Sequence, residues 1–184
     1  MSESAVSVAI VSDTHAQLHP EIEALIRCCD IALHAGDICD ASILDAMQPR
    51  SGRVIAVRGN NDHERGWPAE QADRVLAIPA NARVELPGGA VEIEHGHVHD
   101  MVNPDHQDLR DAHPTARMVV YGHTHRKVID DYKQPWVVNP GAAGYTRTRG
   151  GPSCLILIAS EMQWKLESYR FAELPTQPAK ANAA

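Results

Sequence analysis

Short apolar runs alternate along the chain with polar stretches that hold most of its histidines and aspartates. Ala5 to Val11 is almost wholly apolar, the pattern of a strand covered on both faces. Pro20 then opens a helix in which Ile22, Leu25 and Ile26 recur at i, i+3 and i+4. Ile31–His34 and Val54–Val57 predict a second and a third strand, with a short helix from about Ala41 to Met47 between them. Strand, helix, strand, helix, strand at this spacing is the pattern of a parallel sheet joined by right-handed crossovers.

The pattern then shortens. Arg83–Leu86 and Ala90–Glu94 flank Pro87-Gly88-Gly89 and predict a β-hairpin. Asn103–Ala112 reads as a polar, weakly amphipathic helix, and Arg117–Tyr121 as a strand. Val128–Tyr132 and Trp136–Val138 pair around Lys133-Gln134-Pro135, and Ser153–Ala159 with Gln163–Tyr169 forms a last hairpin. Gly144–Pro152 is expected to be a mobile loop whose Arg147 and Arg149 could meet a phosphate. The organisation predicted is one domain over residues 1–172 and a disordered tail over 173–184, where no apolar pattern survives.

Composition narrows the function. At 184 residues the chain can bury a substantial core, and with a single Phe that core must rest on Val, Ile, Leu and Ala. A net charge of −7 argues against non-specific contact with nucleic-acid backbone. The four cysteines show neither C-x-x-C spacing nor a disulfide framework, so reduced thiols are expected, with Cys28 and Cys154 in the core. The N-terminus lacks a signal peptide's basic and apolar regions, and no apolar stretch approaches the ~20 residues of a membrane span, so a cytoplasmic location is expected.

Five apolar runs end in residues able to hold metals: Asp13-x-His15, Gly36-Asp37, Gly59-Asn60, His95, and His123-Thr124-His125. Ligand sites of open α/β sheets lie outside the carboxyl ends of strands. Carboxylate, imidazole and amide donors suit Mn, Fe, Zn, Ni or Co. Seven candidates are too many for one zinc, which takes about four ligands, but they suit two metals sharing a carboxylate. Among the other histidines, His34 is expected to be a packed strand-end residue and His63 to lie at the surface. His19, His106 and His113 are expected to be solvated.

In order, Asp13-Thr14-His15, Gly36-Asp37, Gly59-Asn60-Asn61-Asp62, His95-Gly96-His97 and Gly122-His123-Thr124-His125 form a set that resembles the calcineurin-like metallophosphoesterase family. The match spans about residues 5 to 170. Size and the Asn139-Pro140-Gly141 segment look most like its compact bacterial and archaeal phosphodiesterases, a branch that includes the eukaryotic retromer subunit. The resemblance implies an α/β fold: a four-layer α/β/β/α sandwich of two mixed β-sheets flanked by helices. By position it assigns Asp13, His15, Asp37 and His125 to a first metal. It assigns Asp37, Asn60, His95 and His123 to a second, with Asp37 bridging.

Two divalent ions ~3.5–4 Å apart lower the pKa of a shared water, and the resulting hydroxide would attack a phosphodiester in line. Manganese is the first expectation for both ions, with Ni, Fe, Zn or Co as alternatives. The substrate expected is a small phosphodiester or nucleotide-like molecule, with no membrane partner and a homo-oligomer left open. Many relatives have His where Asn61 stands, and an amide cannot serve as a general acid. This tilts the reading toward diesters or good leaving groups. His97 is the best remaining acid or phosphate-binding candidate, and Asp62 could orient a neighbour. The alternative is a non-catalytic metal-binding scaffold on the same fold. A metallo-β-lactamase-like hydrolase is excluded because His123-Thr124-His125 continues into Arg126-Lys127 instead of H-x-H-x-D-H.

Overall fold

The computed structural model describes residues 5–145 and 147–173, so all but one residue of the expected tail lies outside the described residues. Two five-stranded sheets make up its centre. The first holds β1 (Val6–Val11), β2 (Ile31–His34), β3 (Arg53–Ala56), β9 (Ser153–Ala159) and β10 (Trp164–Arg170), in the order β10-β9-β1-β2-β3. The second holds β4 (Asn81–Leu86), β5 (Gly89–Glu94), β6 (Met118–Val120), β7 (Lys127–Asp130) and β8 (Trp136–Pro140), in the order β4-β5-β6-β8-β7. Both are mixed. β1, β2 and β3 run parallel while β9 is antiparallel to β1, and β5, β6 and β8 run parallel while β4 and β7 are antiparallel edge strands.

Side-chain alternation builds the layers. Along β1, Val8 and Ile10 enter a core shared with Val91, Ile93, Met118 and Val120 of the other sheet. Ala9 and Val11 point the opposite way, onto Ile22 and Ile26 of α1 (Pro20–Arg27), Ile43 of α2 (Ala41–Ala46) and Val75 of α3 (Ala72–Ala77). In β6, Met118 and Val120 face inward, and Val119 packs outward with Leu109 of α4 (His106–Ala112). A period of two on each strand therefore yields the four layers α/β/β/α that the family resemblance implied.

Several expectations need correction. α3, preceded by a 3₁₀ turn at Ala69–Gln71, was not expected; it buries only Val75 and so shows little periodicity. α4 starts later than Asn103, at His106, because Asp105 caps it by accepting from Gln107 N at 2.6 Å. Cys28 is exposed at the C-terminus of α1; the helical period of Ile22 and Ile26 turns Cys29 inward instead.

Three histidines expected in solvent have partners. His19 is buried and caps α1, accepting from Glu21 N through Nδ1. His106 donates from Nδ1 to Asp130 at 2.6 Å and accepts from the Tyr121 hydroxyl at 3.1 Å. His113 meets the Glu94 carboxylate at 2.7 Å. Gly144–Pro152 is less free than a mobile loop: Gly144, Thr148, Gly151 and Pro152 are buried. Among the described residues, no helix is long and apolar enough to cross a membrane. Leu33 lies fully buried between the sheets. Leu33→Ala should therefore cost about 2–5 kcal/mol, read as a lower urea midpoint at unchanged slope.

Candidate metal centre

Parallel strands deliver their carboxyl ends to one edge, and the five candidate loops leave from such ends. Asp13 and His15 follow β1, Asp37 follows β2, Asn60 follows β3, His95 follows β5, and His123 and His125 follow β6. Backbone bonds lock adjacent loops together, Asp13 N donating to Gly36 O at 2.9 Å and His15 N to Asp37 O at 3.0 Å. His123 N donates to the Asp13 carboxylate at 3.2 Å, tying the second sheet to the first. Close approach demands glycine at two points. A Cβ on Gly36, whose φ is +94°, would lie 2.5 Å from His95 Nδ1, and one on Gly59 would overlap the Asp37 carboxylate.

Asp13, His15, Asp37 and His125 each offer one ligand atom, and these atoms all lie within 4.8 Å of one another. The two imidazoles are stacked with Nε2 atoms 3.2 Å apart, and His125 Nε2 lies 3.5 Å from Asp13 Oδ1. Asp37 Oδ2 faces this group, 3.8 Å from His15 Nε2. Its other oxygen, Oδ1, lies 3.4 Å from His95 Nε2. His95 and His123 meet edge to face with centroids 5.2 Å apart, and His123 Nδ1 is 2.9 Å from Asn60 Oδ1. The first four residues thus form one tight cluster. Asn60, His95 and His123 join it as a chain of pairwise contacts starting at Asp37.

The donors fit divalent cations. Asp13 Oδ2 and His95 Nε2 are buried and have no hydrogen-bond partner. His95 donates from Nδ1 to Ala35 O at 2.7 Å and His125 from Nδ1 to Arg147 O at 3.1 Å, which turns each Nε2 inward. His123 gives its Nε2–H to Met101 O at 2.9 Å, so Nδ1 presents a lone pair to Asn60 Oδ1, a pairing that a shared cation would satisfy. The donors are oxygen and imidazole nitrogen, suited to borderline and hard divalent ions.

Charge within the cluster points the same way. Burial, with the Asp37 charge added, pushes the Asp13 carboxyl up to about 7. Burial opposes ionisation of Asp37 too, but the His95 ring 3.4 Å away and the two Asn61 donors outweigh it and hold Asp37 well below the usual carboxylate range. Burial lowers His95, yet Asp37 and Asp13 more than reverse this and raise it to about 9. Burial, then the His15 and Arg147 charges, pushes His125 down to about 4, and burial lowers His15 as well.

The three remaining candidates occupy different places. Asn61 clamps Asp37, its backbone N donating to Oδ1 at 2.9 Å and its amide Nδ2 to Oδ2 at 2.6 Å. Asp62 is buried and accepts from Ile38 N, Cys39 N, Gly59 N and Trp67 Nε1 at 2.8–2.9 Å, so its carboxylate joins the Asp37 and Asn60 loops. His97 is half-buried, its ring 5.5 Å from that of His95 and 6.1 Å from that of His123. Burial and those two neighbours lower its pKa.

Two supports were not foreseen. Buried Asn139 donates from Nδ2 to Gly122 O at 2.6 Å and to Thr124 Oγ1 at 3.2 Å, fixing the loop that carries His123 and His125. Its place in Asn139-Pro140-Gly141 was the available signal. Met101, whose carbonyl meets His123, is an exposed apolar residue and gives none. His34 is buried as expected, accepting from Gly36 N at 3.2 Å and meeting Thr14 Oγ1 at 2.9 Å.

A paired-sheet sandwich with carboxylates and histidines gathered at its strand ends is the architecture of the metallophosphoesterases. Residues 6–162 match the family model of the calcineurin-like phosphoesterase superfamily domain, and the chain belongs to that superfamily, in its compact branch. A phosphodiesterase of Methanocaldococcus jannaschii is 27% identical over 173 residues, covering 87% of this chain and 97% of that protein. Two solved structures share the fold. An archaeal phosphodiesterase has a TM-score of 0.63 at 24% identity, covering 89% of this chain and 99% of its own. Vacuolar protein sorting 29 of Cryptosporidium parvum has a TM-score of 0.68 at 15% identity, covering 91% and 98%.

A metal held by Asp13 and His95 would displace their protons, which burial and neighbouring charges hold up to about 7 and about 9. Mn²⁺ affinity should therefore rise as pH increases from 6 to 9. Calorimetry in buffers of different ionisation heat should show proton release that shrinks toward pH 9.

Proposed function

We propose that this protein is a dinuclear metal-dependent phosphodiesterase acting on a small phosphodiester or nucleotide-like substrate. One observation carries the reading: the buried Asp37 carboxylate divides its oxygens between the His15 side and the His95 side. Asp13, His15, Asp37 and His125 would hold one ion, and Asp37, Asn60, His95 and His123 the other. Bound there, two divalent ions would supply Lewis acidity, lowering the pKa of a water and neutralising charge on the phosphoryl oxygens. Manganese is the first ion to test, and the same donors suit Ni, Fe, Zn or Co.

The chain's own residues do the rest. Asn61 steadies Asp37 through two hydrogen bonds but has no proton to give at neutral pH. Burial, with His95 and His123 beside it, lowers the His97 pKa and so favours its neutral ring. It therefore serves better as a hydrogen-bond donor to a phosphoryl oxygen than as a general acid. Asp62 acts through position, holding the Asp37 and Asn60 loops in register. Without an acid for the leaving oxygen, the site suits diesters and esters with good leaving groups. The unpartnered Asp13 Oδ2 and His95 Nε2 support metal binding, which a non-catalytic metal-binding scaffold would share, so turnover separates the two readings.

With Mn²⁺ the protein should hydrolyse bis(4-nitrophenyl) phosphate faster than 4-nitrophenyl phosphate. A chelator, Asp37→Ala or His123→Ala should each reduce the rate to background. Full activity in either variant would sink the dinuclear mechanism. Asn61→His adds a titratable acid beside Asp37. It should raise turnover of a diester with an alkyl leaving group roughly tenfold or more, with a smaller gain on the nitrophenyl diester.

A further inference from the structure

Beside the metal centre lies a cavity of about 300 Å³. Two ligand histidines, His123 and His125, line it together with three arginines, Arg126, Arg147 and Arg149. No described acidic residue does. Arg27, Arg50, Arg74, Arg83 and Arg110 pair with carboxylates. Among the described residues, Arg126, Arg147 and Arg149 have no such partner; Arg53, Arg58, Arg65, Arg117 and Arg170 lack one too, but only these three share one cavity. In a chain of net charge −7, three guanidinium groups without a carboxylate partner around one cavity run against the overall balance. They repel one another unless an anion lies between them.

The segment carrying two of them is anchored. Thr148 is buried between exposed Arg147 and Arg149 and donates from Oγ1 to Glu173 at 2.7 Å. Arg147 O accepts from the ligand His125, and Arg147 Nη2 lies 2.9 Å from His15 Nε2, within reach of the metal ligands. Both arginines hold left-handed backbone, with φ of 57° and 20°. Among the described residues, the other non-glycine positions with positive φ are Asp13, His15, Ala16, Asp37, Cys39, His123 and His125. All seven are proposed ligands or lie within two residues of one. Backbone strain of this kind clusters at functional sites, and here it extends to Arg147 and Arg149. Met101 and Val102, 63% and 83% exposed, add an apolar surface to the same cavity.

We propose that Arg126, Arg147 and Arg149 form a second anion subsite, so that the substrate class is a phosphodiester carrying a further phosphate near the scissile one. This rests on the phosphodiesterase reading and narrows it. A simple diester has one negative charge, which the metal centre alone can meet. A phosphate dianion accepts two parallel hydrogen bonds from each guanidinium fork. The apolar surface beside the arginines suits the organic part joining the two phosphates, such as a nucleoside.

Thymidine 5′-monophosphate and thymidine 3′,5′-bisphosphate, titrated calorimetrically into the Mn²⁺-loaded protein, isolate the subsite from turnover. The bisphosphate should bind about tenfold or more tightly, the scale of one charge-assisted pair. The Arg147→Gln/Arg149→Gln double variant should reduce that preference to less than about threefold. Arg126→Gln, on a separate segment, should weaken it in the same direction and keeps the test decisive if the double variant does not fold. Equal affinity for the two ligands, or a preference that survives in folded variants, would overturn the subsite. Turnover is read separately with thymidine 5′-(4-nitrophenyl phosphate), with and without a 3′-phosphate. If neither is hydrolysed while the binding preference holds, the phosphodiesterase reading fails and the subsite stands.

Discussion

A single buried carboxylate has to face two directions at once. Asp37 is 2% exposed, and its two oxygens reach toward His15 on one side and His95 on the other. Taking an aspartate out of water is costly unless charges and donors replace the solvent. Here two donors from Asn61 and the His95 ring do so, strongly enough to keep it ionised despite burial. Much of the surrounding architecture serves that placement. Gly36 and Gly59 leave room for it, and Asp62 ties its loop to the next one.

The site departs from relaxed backbone in a consistent way. Asp13, His15, Asp37, His123 and His125, five of the seven proposed ligands, hold left-handed φ between 45° and 68°. Such conformations are unfavourable for residues with a Cβ and need a surround that leaves the chain no alternative. That surround is visible. β1, β2 and β6 are buried along most of their length, and fully bonded polar residues such as His34, Asp62 and Asn139 fix the loops just beyond them. Core packing and site geometry are therefore one problem, because burial of the strands sets where the strained loops begin.

Much of the secondary structure was legible because its signal is local. Apolar runs such as Ile31–His34 and the i, i+3, i+4 spacing of Ile22, Leu25 and Ile26 report burial directly. α3 was not legible, since a six-residue helix that buries one side chain leaves no period to read. Cys28 and His19 were misplaced for a related reason. A neighbouring apolar run does not say which side of a helix end faces inward, nor that an imidazole will cap one. The parallel pairing of β6 with β8, which passes over β7, was equally hidden.

By itself the sequence determined the chemistry available: which donors exist, that they follow apolar runs, and that carboxylate, imidazole and amide occur in numbers suited to more than one metal. These are properties of residue type and near-neighbour spacing, and they survive without coordinates. Only the tertiary structure decided how the donors are grouped. The 3.2 Å approach of His15 to His125 joins residues 110 apart in the chain and depends on how one sheet seats on the other. The same holds for the contact between Asp37 and His95, and for the three arginines brought to one cavity. Side-chain alternation set the faces of each strand, but register between sheets, a sum over the whole buried core, set which loops meet.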